Sequence, residues 1–170
     1  MGRKEARESA FQLIYERIVS GEKNATTFEL MAEKCADDSA YLSDVYHGVC
    51  ERLDFLSGVV GRYAEAFSAA RIYKVDLSLM VLAAFEILFV SSVPDRVAIN
   101  EALELVKVYS TEKSSGFVNG ILASVVANKE KLIYEFEHPE EVSADGETGE
   151  DVVNDENGSI GGDGNDGENH

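Results

Sequence analysis

Apolar residues recur at helical spacing along most of the chain. In the first segment Ala6, Ala10 and Leu13 keep to one helix face until Gly21, which predicts a helix ending there. Similar stripes predict six further helices, at about 26–36, 39–53, 54–67, 76–90, 95–109 and 114–134. No run alternates as a strand would. The pattern therefore predicts an all-α bundle of about seven helices.

Several helix starts carry residues that commonly cap helices. Thr26, followed three residues later by Glu29, has the form of a capping box. Ser39 and Asp76 stand where N-caps of later helices are expected. Asp76 precedes the most apolar run, which ends at Val90 and contains Glu86. The run is too short to span a bilayer, so we expect a buried central helix and no membrane association.

Charge divides the chain into two parts. From Glu135 onward there are 13 acidic residues and no Lys or Arg, together with half of the 14 glycines. The formal charge of −17 therefore leaves about −4 for residues 1–134, where all 15 basic residues lie. We predict a helical domain at 1–134 and a disordered acidic tail at 135–170. The tail either only solubilises the chain, or inhibits binding, or docks a basic partner.

The sequence contains none of the common motifs of catalytic or metal sites. Cys35 and Cys50 form no CxxC pair, and no two histidines stand four residues apart. Phosphate-binding glycine loops and a nucleophile elbow are also missing. We expect no enzyme activity, no cofactor and no metal. Reduced cysteines and an N-terminus without an apolar signal stretch predict a cytoplasmic protein.

The N-terminal helix offers the clearest candidate for binding chemistry. Arg3, Lys4 and Arg7 cluster within one and a half turns, and Tyr15 follows two turns later. Such residues provide phosphate anchors and a ring on which a base can stack. An ordinary solvated helix end is the alternative. Asn100 and Asn119 interrupt apolar helix faces, and we expect each to tie its helix to a neighbour rather than to contact a ligand.

Several segments together resemble the NusB family, from about Arg3 to Val126. The strongest are Val93-Pro94, residues 97–107 and residues 117–122, in the order and spacing of the family. Arg7-Glu8 with Ala10, Gln12 and Tyr15 matches the family's opening helix. Asp76, the apolar run and Phe85-Glu86 match its central helix.

The resemblance implies an all-helical protein of two packed subdomains that meet around residues 68–75. Such proteins bind boxA, a short single-stranded segment of ribosomal RNA leaders, together with NusE, a small-subunit ribosomal protein. The complex joins the transcription elongation complex and helps RNA polymerase to read through terminators. By position, the implied RNA contacts are Arg3, Lys4, Arg7, Tyr15, Lys113 and Phe117. The implied NusE contacts are Asp76 and Tyr63.

The sequence departs from the family at a few of these places. Glu5 interrupts a cluster that is often all arginine, and Gly116 replaces a basic residue common before the Phe. Lys113 stands where an acidic residue is usual, and the acidic tail is not a family feature. These departures bear on RNA affinity more than on the fold.

Two other functions compete with RNA binding. A helical interaction or dimerisation module would have the same fold without an RNA role, and some family members form homodimers that cover the RNA-binding face. Ribosomal RNA cytosine methyltransferases carry a similar helical domain at their amino end. They continue into a domain with a glycine-rich cofactor loop and catalytic cysteines, whereas this sequence turns acidic, so we expect no methyltransferase.

Overall fold

The computed structural model describes residues 2–65 and 69–145, and these residues contain helices and no strand. Two single 3₁₀ turns, at Ala36–Asp38 and Ala69–Arg71, link helices. The α-helices of the described residues are α1 (Arg3–Ser20), α2 (Ala25–Lys34), α3 (Ser39–Glu51), α4 (Leu53–Tyr63), α5 (Lys74–Phe89), α6 (Asp95–Tyr109), α7 (Glu112–Ala127), α8 (Lys129–Glu137) and α9 (Pro139–Asp145). The all-α prediction is confirmed.

Helix α5 is the centre of the bundle. It is buried on every side from Asp76 to Leu88, and it packs against α1, α3, α4, α6, α7 and α8. The predicted break at 68–75 begins at residue 68, which lies outside the described residues, and α5 starts within it at Lys74. Helices from both sides of this break pack against α5, and residues up to His138 form one compact unit. The predicted buried central helix is confirmed. None of the described helices is long and apolar enough to cross a membrane.

Gly48 permits a close approach of α3 to the Phe85 ring of α5. A Cβ atom added to Gly48 would lie 2.3 Å from Cζ of the Phe85 ring, inside van der Waals contact. The ring therefore lies over the backbone of α3 where any larger residue would collide with it.

The predicted caps of α2 and α3 are wrong. Helix α2 is capped by Asn24, whose side-chain oxygen accepts a hydrogen bond from the Thr27 amide at 3.1 Å, and not by Thr26. Asp38, not Ser39, occupies the N-cap of α3, and its side chain makes no capping bond. The stop at Gly21 is confirmed, since this glycine has a φ of 86° at the end of α1.

The predicted last helix, 114–134, is two helices. The chain bends at Asn128, which separates α7 from α8 and donates a side-chain hydrogen bond to the Ser124 carbonyl at 2.8 Å. Helix α8 then places Leu132 in the core.

The contacts of α8 extend past the predicted domain boundary at 134/135. Phe136 packs against Phe55 and Phe89, with both pairs of ring centroids 5.0 Å apart, and Glu135 pairs with Arg62 at 2.8 Å. The first contact unit ends at His138, and α9 belongs to the second. Residues 139–145 of the predicted tail are helical, and residues 146–170 lie outside the described residues.

Candidate nucleic-acid interface

The start of α1 lies against the turn between α5 and α6. There Arg3, Lys4 and Arg7 border a pocket of about 290 Å³. The rest of its lining comes from Ser92, Val93, Pro94, Val97 and Glu101. Three of the predicted RNA contacts are therefore brought to one place, which they share with an apolar segment and one carboxylate.

Arg7 is buried, unlike a residue at an ordinary solvated helix end. It is 5% exposed, and its guanidinium donates two hydrogen bonds to Glu86, from Nε at 2.8 Å and from Nη2 at 2.9 Å. Burial alone would lower the pKa of Arg7, but the paired Glu86 carboxylate outweighs it and raises that pKa. The alternative of a solvated helix end is wrong for Arg7, which joins α1 to α5. A direct RNA contact by Arg7 stays a prediction.

Arg3 is held by two partners on neighbouring elements. Its Nε and Nη2 donate to Oδ1 of Asp38 at 3.2 and 3.1 Å, and its guanidinium carbon lies 4.1 Å from the centroid of the Tyr41 ring. Tyr41 is buried, and the Arg7 guanidinium lies 5.6 Å from the same ring. The side chain of Arg3 remains 49% exposed.

Lys4 differs from its two neighbours. It is exposed, and no described carboxylate lies within ion-pair distance of its ammonium group. It is therefore the cation of the predicted cluster that is most available to a phosphate.

Tyr15 is one of two aromatic residues on α1, the other being Phe11. Its ring is 38% exposed, and its centroid lies 6.4 Å from that of Phe11, which in turn lies 4.9 Å from Tyr109 on α6. The Tyr109 hydroxyl donates to the Glu8 carboxylate and accepts from Nε2 of Gln12 at 3.0 Å. The bond to Glu8 raises the pKa of Tyr109. The result is a partly exposed aromatic face formed by Tyr15 and Tyr109.

Sequence reasoning did not single out Tyr109 as a candidate site residue. The hydroxyl partners, Glu8 and Gln12, lie about a hundred positions earlier in the chain. No local signal connects them.

A second concavity, of about 850 Å³, lies between the segment leading into α5 and the start of α7. Its lining comprises Arg71, Ile72, Tyr73, Asp76, Thr111, Glu112, Lys113, Ser114 and Phe117. We call this concavity the α5–α7 cleft. It brings together Asp76, Lys113 and Phe117, which the sequence assigned to two different partners.

The predicted N-cap role of Asp76 is wrong. Helix α5 begins at Lys74, so Asp76 lies in its first turn, and it is 2% exposed. Oδ1 accepts a hydrogen bond from the Ser110 hydroxyl at 2.6 Å, and Oδ2 accepts one from Ser114 at 2.8 Å. Asp76 therefore braces the α6–α7 turn against α5 and forms part of the floor of the cleft.

The remaining predicted residues lie elsewhere. Tyr63, at the end of α4, is half-buried against the core and does not line the α5–α7 cleft. Asn100 and Asn119 are exposed, and their side chains make no hydrogen bond within the described residues. The expectation that they tie helices together is wrong.

Cys35 and Cys50 are not joined in a disulfide, and metal-binding clusters of His, Cys, Asp and Glu do not occur among the described residues. The Cys35 thiol is buried and donates to the Ser9 hydroxyl at 3.4 Å. His47 packs against Phe28 and Tyr46 in an aromatic group.

Comparison with known proteins identifies relatives. The model of the NusB family matches residues 4–127. The transcription antitermination protein NusB of Finegoldia magna is 40% identical over 136 residues, which cover 76% of this chain and 97% of that protein. The protein of the same name from Desulforudis audaxviator is 37% identical, with coverages of 77% and 97%.

Solved structures show the same fold. NusB of T. maritima superposes with a TM-score of 0.68 at 27% identity, covering 79% of this chain and 98% of that one. A structure of the antitermination factors NusB and NusE in complex with dsRNA gives a TM-score of 0.66 at 24% identity, covering 74% and 96%.

Proposed function

The chain belongs to the NusB family, and we propose that it is a transcription antitermination factor that binds boxA RNA of ribosomal RNA leaders together with NusE. In this role it acts in the cytoplasm as part of the transcription elongation complex. Its chemistry is recognition and carries no catalytic step.

The face of α1 supports RNA binding most directly. Lys4 and Arg3 present exposed positive charge at its start, and Tyr15 presents a partly exposed ring about three turns further along α1. Tyr109, at the end of the neighbouring α6, presents a second partly exposed ring. Cations that approach phosphates, followed by rings that stack on bases, are the usual means of holding single-stranded RNA. The succession of Lys4 and Tyr15 along α1, with Tyr109 on the neighbouring α6, is the observation that carries the proposal.

The α5–α7 cleft, at the start of α5, supports a protein partner. It lies at the opposite end of α5 from the pocket that Arg3 and Lys4 border. Phe117 and Lys113 line the cleft, together with the 75%-exposed Tyr73. We assign the cleft to NusE, with Asp76 as the brace that fixes its shape and Tyr63 as a more distant contact. Phe117 and Lys113, at the start of α7, then lie where RNA and NusE meet.

Electrostatics sets the expected order of affinities. Residues 1–134 carry a net charge of about −4, and two of the three clustered cations are already paired with carboxylates. The chain alone therefore offers few phosphate anchors, and we expect weak RNA binding that tightens when a basic NusE completes the surface.

A mobility-shift titration tests this function. Single-stranded boxA RNA is titrated with the full chain, with its cognate NusE, and with both, against a scrambled strand and a boxA duplex. We expect tight binding of the boxA strand by the pair. Equal binding by the chain alone contradicts the electrostatic argument, and no binding in any arm supports the interaction-module alternative.

Light scattering of the same samples reports oligomeric state. A homodimer that dissociates when RNA and NusE are added would mean that the RNA-binding face is also the dimer face. A monomer throughout would leave this face free for RNA.

A further inference from the structure

The pocket at the start of α1 combines an apolar wall with a charged rim. Val93, Pro94 and Val97 form the wall, and Arg3 and Lys4 lie at the rim. Val93 is buried, whereas Val97 is 40% exposed, so apolar surface faces the opening. Its volume of about 290 Å³ suits one small planar group better than a long segment of chain.

Arg3 is fixed rather than mobile at this rim. Asp38 accepts from two nitrogens along one edge of its guanidinium, and Tyr41 lies against one side of it, with the guanidinium carbon 4.1 Å from the ring centroid. That separation is ordinary van der Waals contact between two flat groups. With 49% of the side chain exposed, a second flat group can contact the side away from Tyr41.

The charges around the pocket do not favour a phosphate. Arg3, Arg7 and Lys4 supply three positive charges, and Asp38, Glu86 and Glu101 supply three negative ones. Glu101 lines the pocket itself, and its Oε2 lies 3.9 Å from an Arg7 nitrogen. A phosphate entering here would meet no net positive charge and one nearby carboxylate. A neutral, flat, partly polar group would meet neither obstacle.

We propose that this pocket holds one base of the single-stranded RNA, stacked on the outer side of the Arg3 guanidinium and against Val97. The inference rests on the proposed function and assigns Arg3 to a base rather than to a phosphate. The Glu101 carboxylate, an acceptor, takes a hydrogen bond from the exocyclic amino group of that base. Lys4, whose ammonium group has no carboxylate of the described residues within ion-pair distance, is the phosphate anchor beside the pocket.

The test uses Arg3→Lys, which keeps the charge and loses the flat group. Dissociation constants are measured for the full chain with NusE, against boxA RNAs that each carry one abasic position. Arg3→Lys should weaken binding of unmodified RNA by about 5- to 150-fold, the range for a lost stacking contact, without changing the salt slope. One abasic RNA should bind the wild type equally weakly and lose nothing further with Arg3→Lys.

Lys4→Ala is the matched control. Its loss should be similar for every RNA in the set, and should reduce the slope against salt by about 0.7, as expected for one phosphate contact on a single strand. Glu101→Gln should reduce discrimination between uracil and amino-bearing bases at the position found by Arg3→Lys. Thermal melts of each variant establish that the fold is retained.

Each outcome bears on one claim. If Arg3→Lys binds every RNA as the wild type does, or loses affinity equally on all abasic RNAs, the base pocket is refuted while the RNA-binding function stands. If the wild type with NusE binds no RNA, the proposed function and the pocket are both refuted.

Discussion

Removing one partner of the Arg7–Glu86 pair should be far more damaging than removing both. Arg7→Met leaves the Glu86 carboxylate 1% exposed and without its two hydrogen bonds. Breaking a buried ion pair from one side costs about 3–5 kcal/mol. Since domains are commonly stable by about 5–15 kcal/mol, this single change takes much of the free energy of unfolding.

The double variant Arg7→Met, Glu86→Leu is the matched control. Both charges are removed together, so no buried ion is left unpaired, and such replacements are often neutral or stabilising by about 1–4 kcal/mol. The Glu101 carboxylate, 3.9 Å from Arg7, retains 23% exposure and can be hydrated after the change. The double variant should therefore recover most of the stability that Arg7→Met loses.

Urea unfolding followed by circular dichroism measures both variants, and RNA titration with NusE follows for those that fold. A loss below about 1 kcal/mol for Arg7→Met, the size expected of an exposed pair, would refute the buried pairing. A double variant that is stable yet loses RNA affinity would show that Arg7 contacts RNA directly. Retained affinity would assign Arg7 to holding α1 in place.

Four further changes test other parts of the structure. Gly48→Ala pushes a Cβ into the Phe85 ring and should cost about 1–3 kcal/mol in a urea melt. Asp76→Ala leaves two serine hydroxyls without their acceptor, at a cost of about 1–3 kcal/mol, and should also weaken NusE binding in a pull-down. Burial raises the pKa of Tyr46 from 10.0 to about 12, so the neutral phenol stabilises the fold fully below pH 10 and this contribution is lost as pH rises through 12. Burial also raises the pKa of Tyr41 and Cys50, so alkaline melts should show a smaller loss of stability in Tyr46→Phe than in the wild type. Ending the chain after residue 134 removes the ring contacts of Phe136 and should lower the free energy of unfolding by about 1–3 kcal/mol relative to ending it after residue 138. Both shortened chains should bind RNA more tightly than the full chain, at low salt only.

Periodicity predicted the helices because it reports which face of each one is buried. It predicted helix ends less well, since a cap depends on where the backbone leaves helical geometry. Thr26, Ser39 and Asp76 all have capping side chains, yet none of them caps a helix here. Periodicity also does not predict the bend at Asn128, because Val125 before it and Leu132 after it are both core residues and continue the apolar pattern.

The sequence contains a signal for the Arg7 pairing. Glu86 lies within the run that was predicted to be buried, and a buried carboxylate requires a cationic partner. Arg7 lies beside Ala6 and close to Ala10, both of them fully buried on α1. A charged residue adjoining a buried stripe was therefore a candidate for that partner.

Counting clustered basic residues overestimates the number of phosphate anchors. Three cations within two turns predict a change of about two units in the salt slope when all are removed, at roughly 0.7 per contact. In the folded chain Asp38 already neutralises Arg3 and Glu86 neutralises Arg7, through partners 35 and 79 positions away. A phosphate that displaced either carboxylate would replace one anion beside the arginine with another. The RNA would lose a counterion, but the displaced carboxylate would be left on the protein without a cation. The gain in affinity is then small, and the slope approaches that of Lys4 alone. The sequence gives a signal for the partner of Arg7 but none for that of Arg3, because the Arg3–Asp38 pairing depends on which distant carboxylate the fold brings to the start of α1.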